Sequence, residues 1–226
     1  MTFSVLSRSV EDYLKAVYSL NERGKAAGTS ELARALEIQP ASVSGMIRRL
    51  AEDGLLEHEP YRGVHLTPQG HREALKILRR HRIIETFLVQ RLGYPWDDVH
   101  DEAERLEHAA SETLIDRMAN ALGNPATDPH GAPIPTRDGE IDPTPSRSLD
   151  EVLPGTRVLV RSVPDNNRER LRYCKSVGLV PGAQVAVTDA IADGDSVAVV
   201  VGAGTEPVWI EGTVARRVTV SESSQP

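Results

Sequence analysis

The chain has 226 residues, of which 39% are hydrophobic and 26% are charged, values typical of a globular protein with one large domain or two to three small ones. One cysteine, Cys174, excludes an intramolecular disulfide, and neither a signal-peptide stretch nor an apolar run long enough to span a membrane is present, so we predict a cytoplasmic protein without membrane association. The net charge of −7 is segregated: residues 1–95 hold 14 Lys and Arg against 11 Asp and Glu, whereas residues 96–155 hold 4 against 14, which favours an anion-binding module followed by a cation-binding one.

The first 70 residues predict a winged helix-turn-helix. A first helix is expected from an N-cap at Ser9, because apolar residues recur at a spacing of three and four through residues 13–18. A short helix from Thr29, a tight turn at residues 38–40 and a second helix from Ser42 to Gly54 form the helix-turn-helix. Residues 55–66 predict a hairpin, the wing.

Two long helices are expected next. The first runs from Pro68 to Gly93, and the second opens near Pro95 and continues to Gly123. Their broad apolar faces exceed what neighbouring segments can cover, so we expect them to pack against a second copy of the chain.

The sequence pattern in the last part of the chain is no longer helical. Prolines among polar residues predict an extended linker over 126–150, and valines then alternate with other residues through 158–220, which predicts a small β domain interrupted by a short helix at 167–176. The predicted domains are therefore 1–70, 71–125, 126–150 and 151–226.

Histidines and carboxylates gather on the two long helices. His100, Glu104, Glu107 and His108 share one stripe of the second helix, a pattern that suits a divalent-metal site. His81 and Glu85 stand one turn apart on the preceding helix and can face that stripe if the helices are antiparallel. The alternative is a solvated acidic face with incidental histidines.

The second helix of the helix-turn-helix carries small and polar residues at its N-terminus, where free N–H groups favour phosphate. The alternative is an ordinary polar surface, since helix-turn-helix shapes also occur outside DNA binding. We predict contacts with double-stranded DNA through Gln39, Pro40, Ala41, Ser42, Ser44, Arg48 and, in the wing, Arg62.

Specific strings carry a resemblance that spans most of the chain: SVEDYLKAVYSL, PASVSGMIRRLAEDGLL, YRGVHLTPQG, RHRIIETFL, VHDEAERLEHAAS and RLRYCKSVGLVPGAQVAV. With them the chain resembles the diphtheria-toxin-repressor family of metal-dependent transcriptional regulators, in particular its manganese-responsive members. The resemblance implies a mostly α fold with a small β domain: an N-terminal winged helix-turn-helix, a helical dimerisation domain and a C-terminal SH3-like β-barrel of the ferrous-transport-accessory type.

The resemblance also implies two metal sites. The primary site consists of Asp12, Glu104, Glu107 and His108. The ancillary site consists of His81, Glu85 and His100 together with a β-domain side chain, for which we choose Glu169. Cys174 is expected to be a core residue rather than a ligand.

Two positions bear on the metal. Asp12 and Glu104 stand where iron-responsive members have Met and Cys, and oxygen ligands suit Mn(II), with Fe(II) as the second choice. Lys15 stands where short manganese regulators of the family add a carboxylate, which argues against their coupled two-metal cluster.

The resulting prediction is a homodimeric, Mn(II)-dependent regulator, a repressor by the resemblance, that binds a palindromic operator and controls genes of metal-ion homeostasis. The alternatives are an iron-responsive regulator of the same family, a DNA-binding protein with an organic effector, and a metal-handling helical protein that binds no DNA. The sequence contains neither the Glu-x-x-His pairs of di-iron bundles nor an H-E-x-x-H motif, so we predict that the chain is not an enzyme.

Overall fold

The computed structural model describes residues 6–22, 26–59, 63–141, 146–164, 167–190 and 196–222. The chain divides into two compact units. Unit 1 comprises Met1–His81, Glu107–Ala110 and Pro135–Ile141, and unit 2 comprises Arg82–Leu106, Ser111–Ile134 and Asp142–Pro226.

Unit 1 contains the winged helix-turn-helix that the sequence predicts. Its elements are α1 (Arg8–Asn21), α2 (Thr29–Ala35), α3 (Pro40–Glu52), β1 (Leu56–Glu59), β2 (Gly63–Leu66) and the first part of α4 (Pro68–Leu92). The two strands pair antiparallel, with Leu56 opposite Leu66.

Two predicted helix starts in unit 1 are wrong. The N-cap of α1 is Ser7 rather than Ser9, and α3 begins at Pro40 rather than Ser42. Proline suits the first helical position because its fixed φ is already helical and its missing N–H has no partner there.

One hydrophobic core holds unit 1 together. It joins the inner faces of the three N-terminal helices to the wing and α4, and its fully enclosed side chains include Leu14, Leu32, Leu50 and Leu75. The C-terminal end of α1 is fastened to the wing, because Asn21 donates to the Val64 carbonyl at 3.2 Å and accepts from Leu66 N at 3.3 Å.

The helices of unit 2 differ from the prediction. Where one long second helix was expected, the chain forms α5 (His100–Glu107), whose last residue lies in unit 1, and α6 (Glu112–Ala121). Residues 108–111 break the helix, and the Ser111 hydroxyl caps the start of α6 by accepting from Leu114 N at 3.2 Å. In the part of the chain that the structure describes, no helix is both long and apolar enough to cross a membrane.

Part of the segment predicted as a linker is folded. Asp128 accepts from the backbone N–H groups of His130 and Ala132, at 2.8 and 3.0 Å, and Thr127 pairs with Pro133. Gly131 has a φ of 88°, and a Cβ there would lie 1.9 Å from the Arg161 carbonyl oxygen, so the turn requires glycine.

The rest of unit 2 is the predicted β domain. The elements of this domain are β3 (Arg147–Ser148), β4 (Arg157–Ser162), α7 (Arg168–Ser176), β5 (Gln184–Ala190), β6 (Ser196–Val201), β7 (Val208–Glu211), α8 (Gly212–Ala215) and β8 (Thr219–Glu222). The strands form an antiparallel sheet in the order β3-β8-β4-β5-β6-β7.

Two features of the β domain bear on the predictions. Within the described residues the outer strands β3 and β7 do not pair, so the SH3-like sheet is not the closed barrel that was expected. Cys174 is fully buried on α7 among the valines of the sheet, which confirms its role as a core residue, and burial raises the pKa of its thiol to about 11.

Candidate metal centres and nucleic-acid interface

Unit 1 brings together a first group of potential ligands, Asp12, Glu107 and His108, which we call the α1 cluster. Asp12 lies in the second turn of α1, Glu107 ends α5, and His108 follows it in the break before α6. One ligand atom from each lies within 4.8 Å of the others. His108 Nε2 is 3.0 Å from Asp12 Oδ1 and 3.5 Å from Glu107 Oε1.

Glu107 is fully buried, and neighbouring side chains of the protein balance its negative charge. Lys15 Nζ donates to both of its carboxylate oxygens, at 2.9 and 3.1 Å, and His81 Nδ1 is 2.5 Å from Glu107 Oε2. Burial raises the pKa of Glu107, but the contacts with His81 and Lys15 outweigh burial and hold that pKa at about 2. The carboxylate is therefore ionised at any physiological pH.

The donors of the α1 cluster fit a divalent cation. His108 Nε2 is buried and makes no hydrogen bond to any described residue, although it faces two carboxylates. An imidazole nitrogen and carboxylate oxygens are donors that Mn(II) and Fe(II) accept.

The other predicted ligands on the helices lie as follows. Glu104, on α5, belongs to unit 2, where its Oε1 is 3.7 Å from His100 Nε2. His100 Nδ1 is 3.2 Å from Glu85 Oε1, so the structure brings Glu85 and His100 together. His81 lies in unit 1, where it contacts Glu107.

A second group lies within unit 2 and was not predicted as such: Glu85 with Asp128 and His130, which we call the 128–130 cluster. All three residues are buried, and one ligand atom from each lies within 4.8 Å of the others. His130 Nε2 lies 2.7 Å from the Trp96 carbonyl oxygen, to which it donates, and this leaves Nδ1 facing Glu85 Oε2 at 3.7 Å.

The 128–130 cluster also fits a cation. His130 Nδ1 is buried and makes no hydrogen bond to a described residue. Burial lowers the pKa of His130, but the carboxylates of Glu85 and Asp128 outweigh burial and raise that pKa to about 9. Both ring nitrogens of His130 are therefore protonated at neutral pH, so Nδ1 must lose its proton before it can act as a ligand.

Sequence reasoning missed Asp128 and His130 because they fall in a proline-rich segment without periodicity. The one available signal was an Asp and a His two residues apart between Pro125 and Pro133. The predicted β-domain ligand Glu169 lies on the exposed side of the first turn of α7.

The predicted DNA contacts form one exposed surface on α3. Its inner face is buried through Val43, Ile47 and Leu50. The solvent face carries the predicted residues Gln39, Pro40, Ala41, Ser42, Ser44 and Arg48, all exposed. Arg62, predicted to contact DNA from the wing, lies outside the described residues.

Gly45 lies on the same exposed face of α3, and a Cβ there would meet nothing within 4 Å. Glycine in a helix interior costs about 0.5–1 kcal/mol relative to alanine, and it lets another molecule come close to the backbone. The sequence analysis did not single out this residue.

Comparison with known families covers most of the chain. Residues 5–64 match the family described as the iron dependent repressor, N-terminal DNA binding domain, and residues 67–136 match the iron dependent repressor, metal binding and dimerisation domain. Residues 147–222 match the FeoA domain.

Individual relatives agree with these matches. The chain is 35% identical over 191 residues to the iron-dependent repressor IdeR of Mycobacterium leprae, which covers 79% of this chain and 83% of the relative. A solved manganese-dependent transcriptional repressor in complex with manganese superimposes with a TM-score of 0.86 at 36% identity, over 95% of this chain and all of the other. The manganese regulator SloR superimposes with a TM-score of 0.81 at 29% identity, over 95% and 98% of the two chains.

Proposed function

The chain belongs to the iron-dependent repressor family of metal-dependent transcriptional regulators, and from that premise we propose that it is a Mn(II)-dependent repressor of genes for metal-ion homeostasis. The observation that carries this proposal is the α1 cluster. It places a buried imidazole nitrogen, which makes no hydrogen bond within the described part of the chain, against two carboxylates that come from different helices.

The proposed ligands of the first ion are Asp12, Glu107 and His108, with Glu104, one turn earlier on α5, as the fourth. The bound ion supplies positive charge that all of these donors share. Asp12 is part of the DNA-binding domain, whereas Glu107 ends α5 of the dimerisation domain and His108 follows it, so shared ligands hold α1 to the end of α5. A shift from 1:99 to 99:1 in favour of the DNA-binding form requires about 5.5 kcal/mol of differential affinity.

Manganese is preferred over iron for two reasons. The proposed donors are oxygens and an imidazole nitrogen, with no sulfur among them, and such donors suit Mn(II). A solved manganese-dependent repressor is also 36% identical to this chain. Iron is the rival, because relatives such as the M. leprae protein are iron-dependent repressors.

We propose the 128–130 cluster as the second ion site, with Glu85, Asp128 and His130 as ligands. The support is complete burial of all three residues together with a His130 Nδ1 that makes no hydrogen bond to a described residue. His81, His100 and Glu169, which the family resemblance places with Glu85 in the ancillary site, remain proposals.

The proposed partners are double-stranded DNA with a palindromic sequence and a second copy of the chain. DNA is contacted by the exposed face of α3, where Gly45 permits close approach of the duplex. A homodimer is supported by large apolar side chains that unit 2 leaves exposed, namely Leu92, Tyr94, Leu106 and Leu114. We further propose that the chain acts in the cytoplasm, has no enzymatic activity, and has the domain limits predicted above.

The test measures fluorescence anisotropy of a labelled fragment of the protein's own promoter at fixed salt, with Mn(II), with Fe(II) under anaerobic conditions, and with chelator. Salt is fixed because phosphate contacts make affinity depend steeply on it. Tight binding with Mn(II) alone supports the proposal. Equal binding with chelator, or binding with Fe(II) only, overturns the manganese switch.

Substitutions of the proposed ligands test whether DNA affinity depends on the α1 cluster. Asp12→Asn and Glu107→Gln keep the side-chain size and remove a charged ligand, so they should abolish the Mn(II)-dependent part of DNA binding. The matched control is Asp101→Asn, an exposed acid on α5. If both ligand variants keep wild-type metal occupancy and DNA affinity, the α1 cluster is not the sensor, and an organic effector becomes the better explanation.

A further inference from the structure

Glu11 is a buried carboxylate next to a proposed metal ligand. It lies in the first turn of α1, immediately before Asp12, and only 5% of its surface is exposed. A buried carboxylate needs partners for both oxygens, because leaving water costs it several kcal/mol. Those partners define what Glu11 does.

Each oxygen of Glu11 has a different partner within unit 1. Oε2 is 2.7 Å from His108 Nδ1, and Oε1 forms an ion pair with the guanidinium of Arg80 on α4. The side chains of all three residues are at most 14% exposed. Arg80 therefore holds Glu11 in place while Glu11 holds the imidazole of His108.

The contact at Nδ1 decides which nitrogen of His108 can bind a metal. A carboxylate oxygen only accepts, so in the neutral ring Nδ1 carries the hydrogen and donates it to Glu11. The lone pair then resides on Nε2, which faces Asp12 and Glu107. Carboxylate partners on the second nitrogen of a ligating histidine fix its tautomer and ring orientation, and their loss lowers metal affinity by about 10–100-fold.

We propose that Glu11 is a positioning residue, which holds His108 with Nε2 free for metal while Arg80 keeps Glu11 itself out of the ligand set. Two adjacent carboxylates on α1 thus have separate tasks: Asp12 faces Nε2 and Glu11 faces Nδ1. This inference rests on the proposed function, since it takes His108 as a ligand.

The first measurement needs no metal. Long-range ¹H–¹⁵N NMR spectra of the metal-free protein at pH 8, with ¹⁵N-labelled histidine, report which ring nitrogen of His108 carries the hydrogen. Wild type should show hydrogen on Nδ1. Glu11→Ala should shift His108 toward the Nε2–H tautomer, and Glu11→Gln should keep Nδ1–H because the amide oxygen still accepts.

The second measurement is Mn(II) affinity from the EPR signal of the free ion. Glu11→Ala should bind about 10–100-fold more weakly at the α1 cluster, and Glu11→Gln should lose less. Glu22→Gln, an exposed acid just beyond the other end of α1, is the matched control and should behave as wild type. If Glu11→Ala does not fold, the comparison of Glu11→Gln with Glu11→Leu gives the same test.

The outcomes separate this inference from the function on which it rests. If wild type binds Mn(II) and Glu11→Ala matches it in affinity, or if the His108 tautomer does not respond to Glu11→Ala, the positioning role is wrong and the proposed function stands. If wild type binds no Mn(II), both are wrong. A changed tautomer together with weaker binding and partial rescue by glutamine supports the inference.

Discussion

Both candidate clusters contain buried carboxylates that need positive charge nearby, and the cations that supply this charge differ between the two clusters. In the α1 cluster, fixed protein cations compensate the buried carboxylates: Lys15 contacts Glu107, and Arg80 contacts the neighbouring Glu11. In the 128–130 cluster, Arg82 Nε lies 3.5 Å from Asp128 Oδ2, and Glu85 faces the protonated imidazole of His130, whose pKa is raised to about 9. An ion entering the first cluster competes with a lysine, whereas an ion entering the second competes with a proton.

This difference predicts that Glu107 and His130 make different contributions to the pH dependence of metal binding. The pKa of Glu107, at about 2, keeps that carboxylate ionised, so it gives the α1 cluster no pH dependence above pH 4. His130 must lose a proton before its Nδ1 can act as a ligand, so affinity at the 128–130 cluster depends on pH near neutrality.

The largest expected effect is the loss of Mn(II) binding at one of the two clusters. His130→Ala removes a proposed ligand from the 128–130 cluster and should weaken Mn(II) binding there by more than about 100-fold, because even indirect partners of a ligand are worth 10–100-fold. The Mn(II) stoichiometry from EPR titration should fall from two to one per chain. His58→Ala, an exposed histidine on β1, is the control. Loss of both ions in His130→Ala would mean that the clusters are not independent.

The second expected effect is the pH dependence that His130 contributes to metal binding at the 128–130 cluster. Below pH 9 one proton must leave His130 for each ion bound, so affinity there should rise about tenfold per pH unit, or roughly 100-fold from pH 6 to pH 8. Isothermal titration in buffers of different ionisation enthalpy counts the released protons. In His130→Ala this contribution should be absent, and an unchanged proton count in that variant would exclude His130 as the source.

The third effect concerns the lysine of the α1 cluster. Lys15→Met removes a positive charge 2.9 Å from Glu107, so Mn(II) should bind there about tenfold more tightly. The metal-free protein should lose about 1–3 kcal/mol of unfolding free energy, since a buried acceptor loses a donor. EPR titration and urea unfolding measure the two changes. Lys76→Met, which removes a lysine paired with Glu73 on α4, is the control. Unchanged Mn(II) affinity in Lys15→Met would show that the lysine does not compete.

The sequence predicts the α1 cluster much better than the 128–130 cluster, for a physical reason. Glu107 and His108 are adjacent in a motif on a periodic helix, and the family resemblance adds Asp12. Asp128 and His130 lie instead in a turn that is shaped by backbone hydrogen bonds and by the close approach of Gly131 to Arg161. Such contacts between distant segments leave no periodic trace in a sequence.

The fold shows the same contrast between periodic segments, which the sequence predicts, and irregular ones, which it does not. Helix-turn-helix, wing and β domain follow from hydrophobic periodicity, which reports burial. The break at residues 108–111 was missed because its two alanines favour a helix, although Ser111 is a typical N-cap residue and caps α6. Glu11 was likewise overlooked beside Asp12, because only the position of His108 distinguishes their tasks.

The smallest predicted effect concerns the support behind His130. The carbonyl of Trp96 holds His130 Nε2, and the next residue, Asp97, accepts from Arg172 Nε on α7 at 2.9 Å. The Arg172 side chain is 59% exposed, so this pair is worth at most about 1 kcal/mol. Arg172→Ala should therefore lower Mn(II) affinity at the 128–130 cluster by less than about fivefold and leave the α1 cluster unchanged.

The pH dependence of that pair has a definite sign. Arg172 lowers the pKa of Asp97, so the stabilisation is complete above the unfolded value of 3.8 and is lost as the pH falls through the lower folded value. Thermal melts of wild type and Arg172→Ala should differ slightly at pH 7 and converge toward pH 2. Arg170→Ala, on the same helix, is the matched control. A difference that persists at pH 2 would show that the Arg172 side chain acts by packing on α7 rather than by its charge, and the support for His130 would then not depend on the ion pair.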